Sequence, residues 1–308
     1  MNASPSPPQP PPQRPPEPPP QPPPEPPPQS SPQPLSPRPP QPPEPQPSTD
    51  AAPPDGTDLA EGSAFSITLR PLGLGDPLRW LVLGWRDFLR CPGIGLFYGA
   101  CFTAMGWLLM AVFEHAPAYV LALSAGFLLT GPFFCLGLYQ ASRRLERGEQ
   151  PDLGDSLLAW DQRAGTVAIF GFVLLVLELL WGRASLIIFA VSFDGMPDFK
   201  GSLLALLNAE NLPFIVAYLL VGGLFGGVIF SVSVVSIPMI LDRSTDAISA
   251  VLTSLRLVLS QPVVMLCWGA LITTTVVLAM LPWFAGLLVA GPVLGHASWH
   301  GSRAAVGD

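Results

Sequence analysis

Six stretches of this chain are long and apolar enough to cross a lipid bilayer, at residues 94–113, 118–139, 165–193, 212–241, 263–281 and 283–300. The hydrocarbon core of a bilayer requires about 20 apolar residues at about 1.5 Å rise per residue. Within the six runs the only Asp, Glu, Lys or Arg side chains are Glu178 and Arg183. Helices of a water-soluble bundle keep a polar stripe facing solvent, and these runs have none. The expected fold class is all-α: a polytopic membrane helix bundle of six transmembrane helices. Only the corner Leu281-Pro282-Trp283 separates the fifth run from the sixth.

The chain ahead of this bundle has the opposite composition. Residues 1–54 hold 28 of the 40 prolines. Such a segment cannot bury enough apolar surface to offset the entropy of ordering, and its Pro-rich runs favour extended polyproline II. The expected organisation is a disordered proline-rich tail over 1–63 and a membrane domain over 64–308. The net charge of −7 lies mostly in the tail, where seven acids face two arginines. The body has no broad basic surface, so nucleic acid is not an expected partner. The N-terminus lacks the pattern of a secretory signal. Cys91, Cys101, Cys135 and Cys267 are scattered and read as small buried hydrophobes.

An internal repeat organises the body. Arg86, Pro92, Gly99 and Ala100 recur 170 positions later as Arg256, Pro262, Gly269 and Ala270. Each copy is an amphipathic segment that meets a proline and becomes a long apolar run. In the first segment Trp80, Leu81, Gly84, Trp85 and Phe88 follow helical spacing, and Arg79, Arg86, Asp87 and Arg90 are expected on the opposite face. In the second, Ile248, Val251, Leu252, Leu255 and Leu259 share a face, and Asp246 is placed to cap the helix start. Such segments suit interfacial amphipathic elbow helices. A weaker middle copy is expected to begin at DSLLAWDQRAG, residues 155–165. Eleven arginines fall on one side of the expected spans, and Lys200 alone on the other. The positive-inside rule then places both termini in the cytoplasm.

Four blocks carry a family resemblance. They are RWLVLGWRDFLRCPGIGLFYG, GPFFCLGLYQASRRLERGEQP, SVVSIPMILDRSTDAISAVLTSLRLVLSQPVVMLCWGALI and GPVLGHASWH. In wording and order they resemble the bacterial predicted integral membrane proteins grouped as domain of unknown function 2189, over about residues 66–305. The resemblance implies a six-span protein of the bacterial inner membrane with no established activity. It brings no catalytic or binding residues, and it leaves the proline-rich tail unaddressed.

Few side chains could carry chemistry. Glu178 and Arg183 form a candidate intramembrane polar site, because charge at that depth is costly and marks a contact or a pathway. Five residues apart on a helix, they point about 140° from each other, so each is expected to face another helix. His296 and His300 are one turn apart and form a weak metal candidate, with no third ligand near in sequence. No phosphate-binding loop, nucleophile elbow or metalloprotease motif is present. No cofactor and no enzymatic activity are expected. The expected function is a non-enzymatic membrane scaffold or regulatory component. It would contact the lipid bilayer, and protein partners through the proline-rich tail or the amphipathic elbows. The alternative is a small transporter, channel or lipid-handling protein using Glu178 and Arg183.

Overall fold

The computed structural model describes residues 67–115, 119–193, 211–243 and 245–307. The proline-rich segment 1–63, with its expected disorder, and Lys200 lie outside the described residues. The described chain is helical and holds no strand, only an isolated antiparallel bridge between Leu69 and Val306.

The elements follow the apolar pattern closely. The first elbow is α1 (Asp76–Arg90), followed by α2 (Pro92–His115) and α3 (Val120–Glu146). A short α4 (Leu153–Leu157) and a single 3-10 turn (Asp161–Arg163) lead into α5 (Ala164–Ser192). The fourth run divides into α6 (Leu212–Ser233) and α7 (Ser236–Arg243). The second elbow is α8 (Ala247–Ser260), and α9 (Pro262–Met280) and α10 (Leu287–Ala305) complete the chain.

Five of the described helical stretches are long and apolar enough to cross a membrane: Pro92–His115, Leu123–Glu146, Ala164–Ser192, Leu212–Arg243 and Pro262–Met280. The sixth expected run, 283–300, becomes helical four residues later and extends to Ala305. It carries His296, Ser298, His300, Ser302 and Arg303, and most of its second half is buried. The reason is its position. Helix α10 packs against α1, α2, α3 and α9, so its surroundings are other helices.

The repeat is visible in the backbone. Cys91 adopts φ −131°, ψ 59° and Gln261 φ −134°, ψ 55°, each just before a proline that opens the next helix. A residue before proline is steered out of the helical region, and proline itself suits the first helical turn. The expected cap is present: Asp246 accepts a hydrogen bond from the Ser249 amide at 2.9 Å. At the expected middle copy there is no such elbow: only α4 and the 3-10 turn precede α5, which opens at Ala164 and not at a proline.

Burial is uneven along the helices. The three core clusters draw on Trp80, Trp268, Leu257 and Met265, on Leu136, Phe170, Ile240 and Trp299, and on Ile94, Tyr98 and Leu138. All of these lie toward the arginine-bearing ends of their helices. Toward the other ends, large apolar residues such as Trp107, Leu108, Leu186, Ile187, Leu219, Leu224 and Leu278 are exposed. Apolar exposure on this scale marks a surface that meets lipid rather than water. The turn between α9 and α10 holds Trp283 and Phe284 at φ 53° and 63°, a strained conformation for non-glycine residues. Trp107 and Thr103 on α2 donate to their two carbonyls and fix the turn.

Candidate functional site

A chain of charged and polar side chains at the arginine-bearing end joins four helices. It begins at Asp87 on α1, which is buried and not on the exposed polar face expected from the sequence. The reason is helical geometry. Asp87 lies seven residues from Trp80 and three from Gly84, which puts all three on one face. Trp80 meets Trp268 edge-on, and Gly84 lies against the backbone of α10, where a Cβ would come 2.5 Å from the Val293 carbonyl oxygen. The contact that buries Trp80 therefore turns Asp87 inward.

Asp87 Oδ2 accepts from Ser142 Oγ at 2.8 Å and pairs with His300 Nε2 at 2.8 Å. Ser142 has one proton and gives it to Asp87, so His296 Nδ1, 2.8 Å from the same hydroxyl, is the donor in their contact. His296 and Ser142 are fully buried. Burial opposes ionisation of Asp87, but the hydrogen bonds from His300 and Ser142 outweigh it and hold its carboxyl below the usual carboxylate range. From His300 the chain continues to Glu146 at 3.5 Å, then to Arg303 at 3.7 Å. Arg303 reaches Asp242 at 3.0 Å, and Asp242 lies 3.6 Å from Arg143. An imidazolium at His300 makes the signs alternate along the whole chain. Helices α1, α3, α7 and α10 each contribute at least one member.

The sequence-derived candidates fall in different places. Glu178 is half-buried and accepts a hydrogen bond from Ser124 Oγ on α3 at 3.0 Å, the interhelical contact expected for it. Arg183 is exposed on α5. The two are not brought together. Nearby, Trp181 packs on Tyr218 and Phe225 of α6 and so joins the third and fourth runs. His296 and His300 both join the buried chain but engage different partners, Ser142 and the Asp87–Glu146 pair. Among the described residues no group of three or more His, Cys, Asp or Glu is arranged to hold a metal. The sequence reading missed Asp87 and Ser142. The signal for Asp87 was its register with Trp80 and Gly84; a serine before two arginines gives none for Ser142.

Beside this chain lies a cleft of about 460 Å³. Its wall carries three arginines (Arg143, Arg144 and Arg163) and three aspartates (Asp155, Asp161 and Asp242), with Leu158 beside them.

The two elbows present matched outer faces. Leu78, Val82, Trp85 and Leu89 of α1 are exposed, as are Ile248, Leu252, Leu255 and Leu259 of α8, each 170 positions on. Helix α1 lies across the bundle, touching α9 at Trp268, α10 at Ala297 and α3 at Ser142 in turn. An exposed apolar stripe on such a helix suits the layer where headgroups meet acyl chains.

No curated protein and no solved structure matches this chain. The chain is an integral membrane protein with several apolar helices, and its residues 120–242, from α3 through most of α7, match the family model described as predicted integral membrane protein, domain of unknown function 2189.

Proposed function

We propose that this protein is a non-enzymatic scaffold or regulatory component of a bacterial inner membrane, with both termini in the cytoplasm. One observation carries the reading. Charged groups at the bundle's arginine-bearing end are engaged with one another, from Asp87 through His300, Glu146 and Arg303 to Asp242. We read these mutual pairs, which join four helices, as contacts that fix how the helices pack. The separation of Glu178 from Arg183 supports the same reading, because the two form no shared polar centre among the described residues. The arginine distribution supports the orientation. The matched elbow faces supply a bilayer contact, and the proline-rich tail offers an extended arm for protein partners.

The test is purification of the full chain, and of a chain lacking residues 1–60, from native membranes, together with flux measurements in proteoliposomes. The expected result is a stoichiometric protein partner that depends on the tail and is retained by Glu178→Gln and Arg183→Gln. A solute or ion flux abolished by Glu178→Gln would overturn the scaffold reading in favour of transport.

A further inference from the structure

We propose that the cleft at the basic end of α3 binds the phosphate of an anionic lipid headgroup, with Arg143 as its principal ligand. Two of the arginines around the cleft are already neutralised by nearby carboxylates. Arg144 is engaged by Asp155 and by Glu149, the latter at 3.4 Å. Arg303 is held by Asp242 at 3.0 Å and by Glu146 at 3.7 Å. Arg143 has only a loose approach to Asp242, at 3.6 Å, and Asp242 is already shared with Arg303. Its Nε is buried and makes no hydrogen bond among the described residues. A buried guanidinium N–H without an acceptor leaves this charge under-satisfied, and the accessible part of the same side chain lines the cleft.

The electrostatics point the same way. Arg147, Arg163 and Arg303 all act on Arg143 as like charges, with Asp242 the one opposing charge among its main neighbours. Arg163 shares the cleft wall with Arg143. The planar fork of arginine matches phosphate oxygens, and arginines converging from separate elements make a directional phosphate site. The volume of about 460 Å³ accommodates a phosphate with its glycerol.

Phosphate could come from a soluble anion or from a lipid, and the rim favours the lipid. Leu158, a lining residue, is 64% exposed, and Leu157 and Trp160 beside it are exposed as well. Apolar side chains at the mouth of a charged cleft are suited to the first carbons of acyl chains, which a soluble phosphate lacks. Basic side chains facing a cleft among membrane helices are a recurrent element of headgroup recognition, and two of the aspartates here, Asp155 and Asp242, are already engaged by Arg144 and Arg303. The site does not depend on the scaffold reading, because it concerns a ligand and not a partner or a flux.

The experiment uses the purified full chain in mixed micelles, titrated with phosphatidylglycerol, phosphatidylcholine or inorganic phosphate. Thermal stability and native mass spectrometry are the readouts. Phosphatidylglycerol is expected to raise the melting temperature and stay bound, phosphatidylcholine to do neither, and Arg143→Gln to weaken the response about tenfold. Arg79→Gln, on the exposed side of α1, is expected to leave it unchanged. Arg163→Gln carries the same expectation as Arg143→Gln and decides the matter if the latter does not fold. Equal responses to the two lipids, or an undiminished response in the arginine variant that folds, overturn the site. Stabilisation by inorganic phosphate without any by phosphatidylglycerol overturns the lipid assignment.

Discussion

The first elbow and span, residues 76–115, and their counterpart at 247–280 share one backbone design and put it to different uses. Both have an elbow helix, a pre-proline residue with nearly the same φ and ψ, and an apolar helix opened by proline. Both expose an apolar stripe at matching positions. They differ on the inward face. Asp87 in the first corresponds to Leu257 in the second, and both are buried. Leu257 sits in an apolar cluster with Trp268 and Met265, whereas Asp87 anchors the charged chain. Even the aspartate at the helix start is used differently. Asp246 accepts from Ser249 ahead of it, and Asp76 from Gly73 behind it. The outer face and the proline entry are thus the constant parts of the unit, and specificity resides on the face that meets the rest of the bundle.

Exchanging the inward residues tests that division most severely. Leu257→Asp buries a carboxylate with no partner, and a loss of several kcal/mol is expected in thermal or denaturant unfolding of the solubilised protein. Asp87→Leu removes the acceptor of both Ser142 and His300 and is expected to cost about 3–5 kcal/mol. If both exchanges are tolerated, the two inward faces are interchangeable and the comparison fails. Acidification probes the same residue. The Asp87 carboxyl titrates below its ordinary range, so its contribution is present above that range and lost as pH falls through the lowered value. Asp87→Leu should flatten that acid limb.

A second contrast is steric. Gly99 lies so close to the Leu288 carbonyl of α10 that a Cβ would overlap it, whereas at Gly269 a Cβ would sit 3.7 Å from the end of the Phe230 ring. Gly99→Ala is expected to lower stability by about 1–3 kcal/mol. Gly269→Ala should change it by less than about 0.5 kcal/mol, as substitutions in open positions do. Similar losses for both would show that the two spans are packed alike. A further contrast lies at the helix starts. Asp246→Ala should cost about 1 kcal/mol, and Asp76→Ala less, because Asp76 makes no cap bond to its own helix.

Much of this architecture was legible in the residues because it is local. Proline fixes where α2 and α9 begin, Asp246 caps α8, and apolar length marks the spans. The 170-residue offset predicted two elbows of like form, and it extends to the exposed stripes and the pre-proline dihedrals. The part that was not legible depends on which helices meet. Helix α10 reads as one more span, yet it is packed by α1, α2, α3 and α9. Asp87 looked like an exposed member of an arginine-rich face until Trp80 and Gly84 set which side of α1 faces inward. The cleft draws on residues 155–163, where the expected middle copy gives only the end of a short helix and a 3-10 turn. Glu178 and Arg183 stood out because charge is rare in a span, but rarity alone does not bring two side chains together.

The charged chain acts as one structural unit beginning at Asp87 and His300. The direct measurement is a double-mutant cycle on these two residues, using Asp87→Asn, His300→Gln and the double variant, with unfolding free energies of the full-length protein. Residues in one hydrogen-bonded network couple by about 0.5–3 kcal/mol. A coupling in the upper part of that range is expected, with the double variant little worse than either single one. Additive losses would contradict it, because they would mean that the 2.8 Å contact between Asp87 and His300 does not bind the elbow to the last helix.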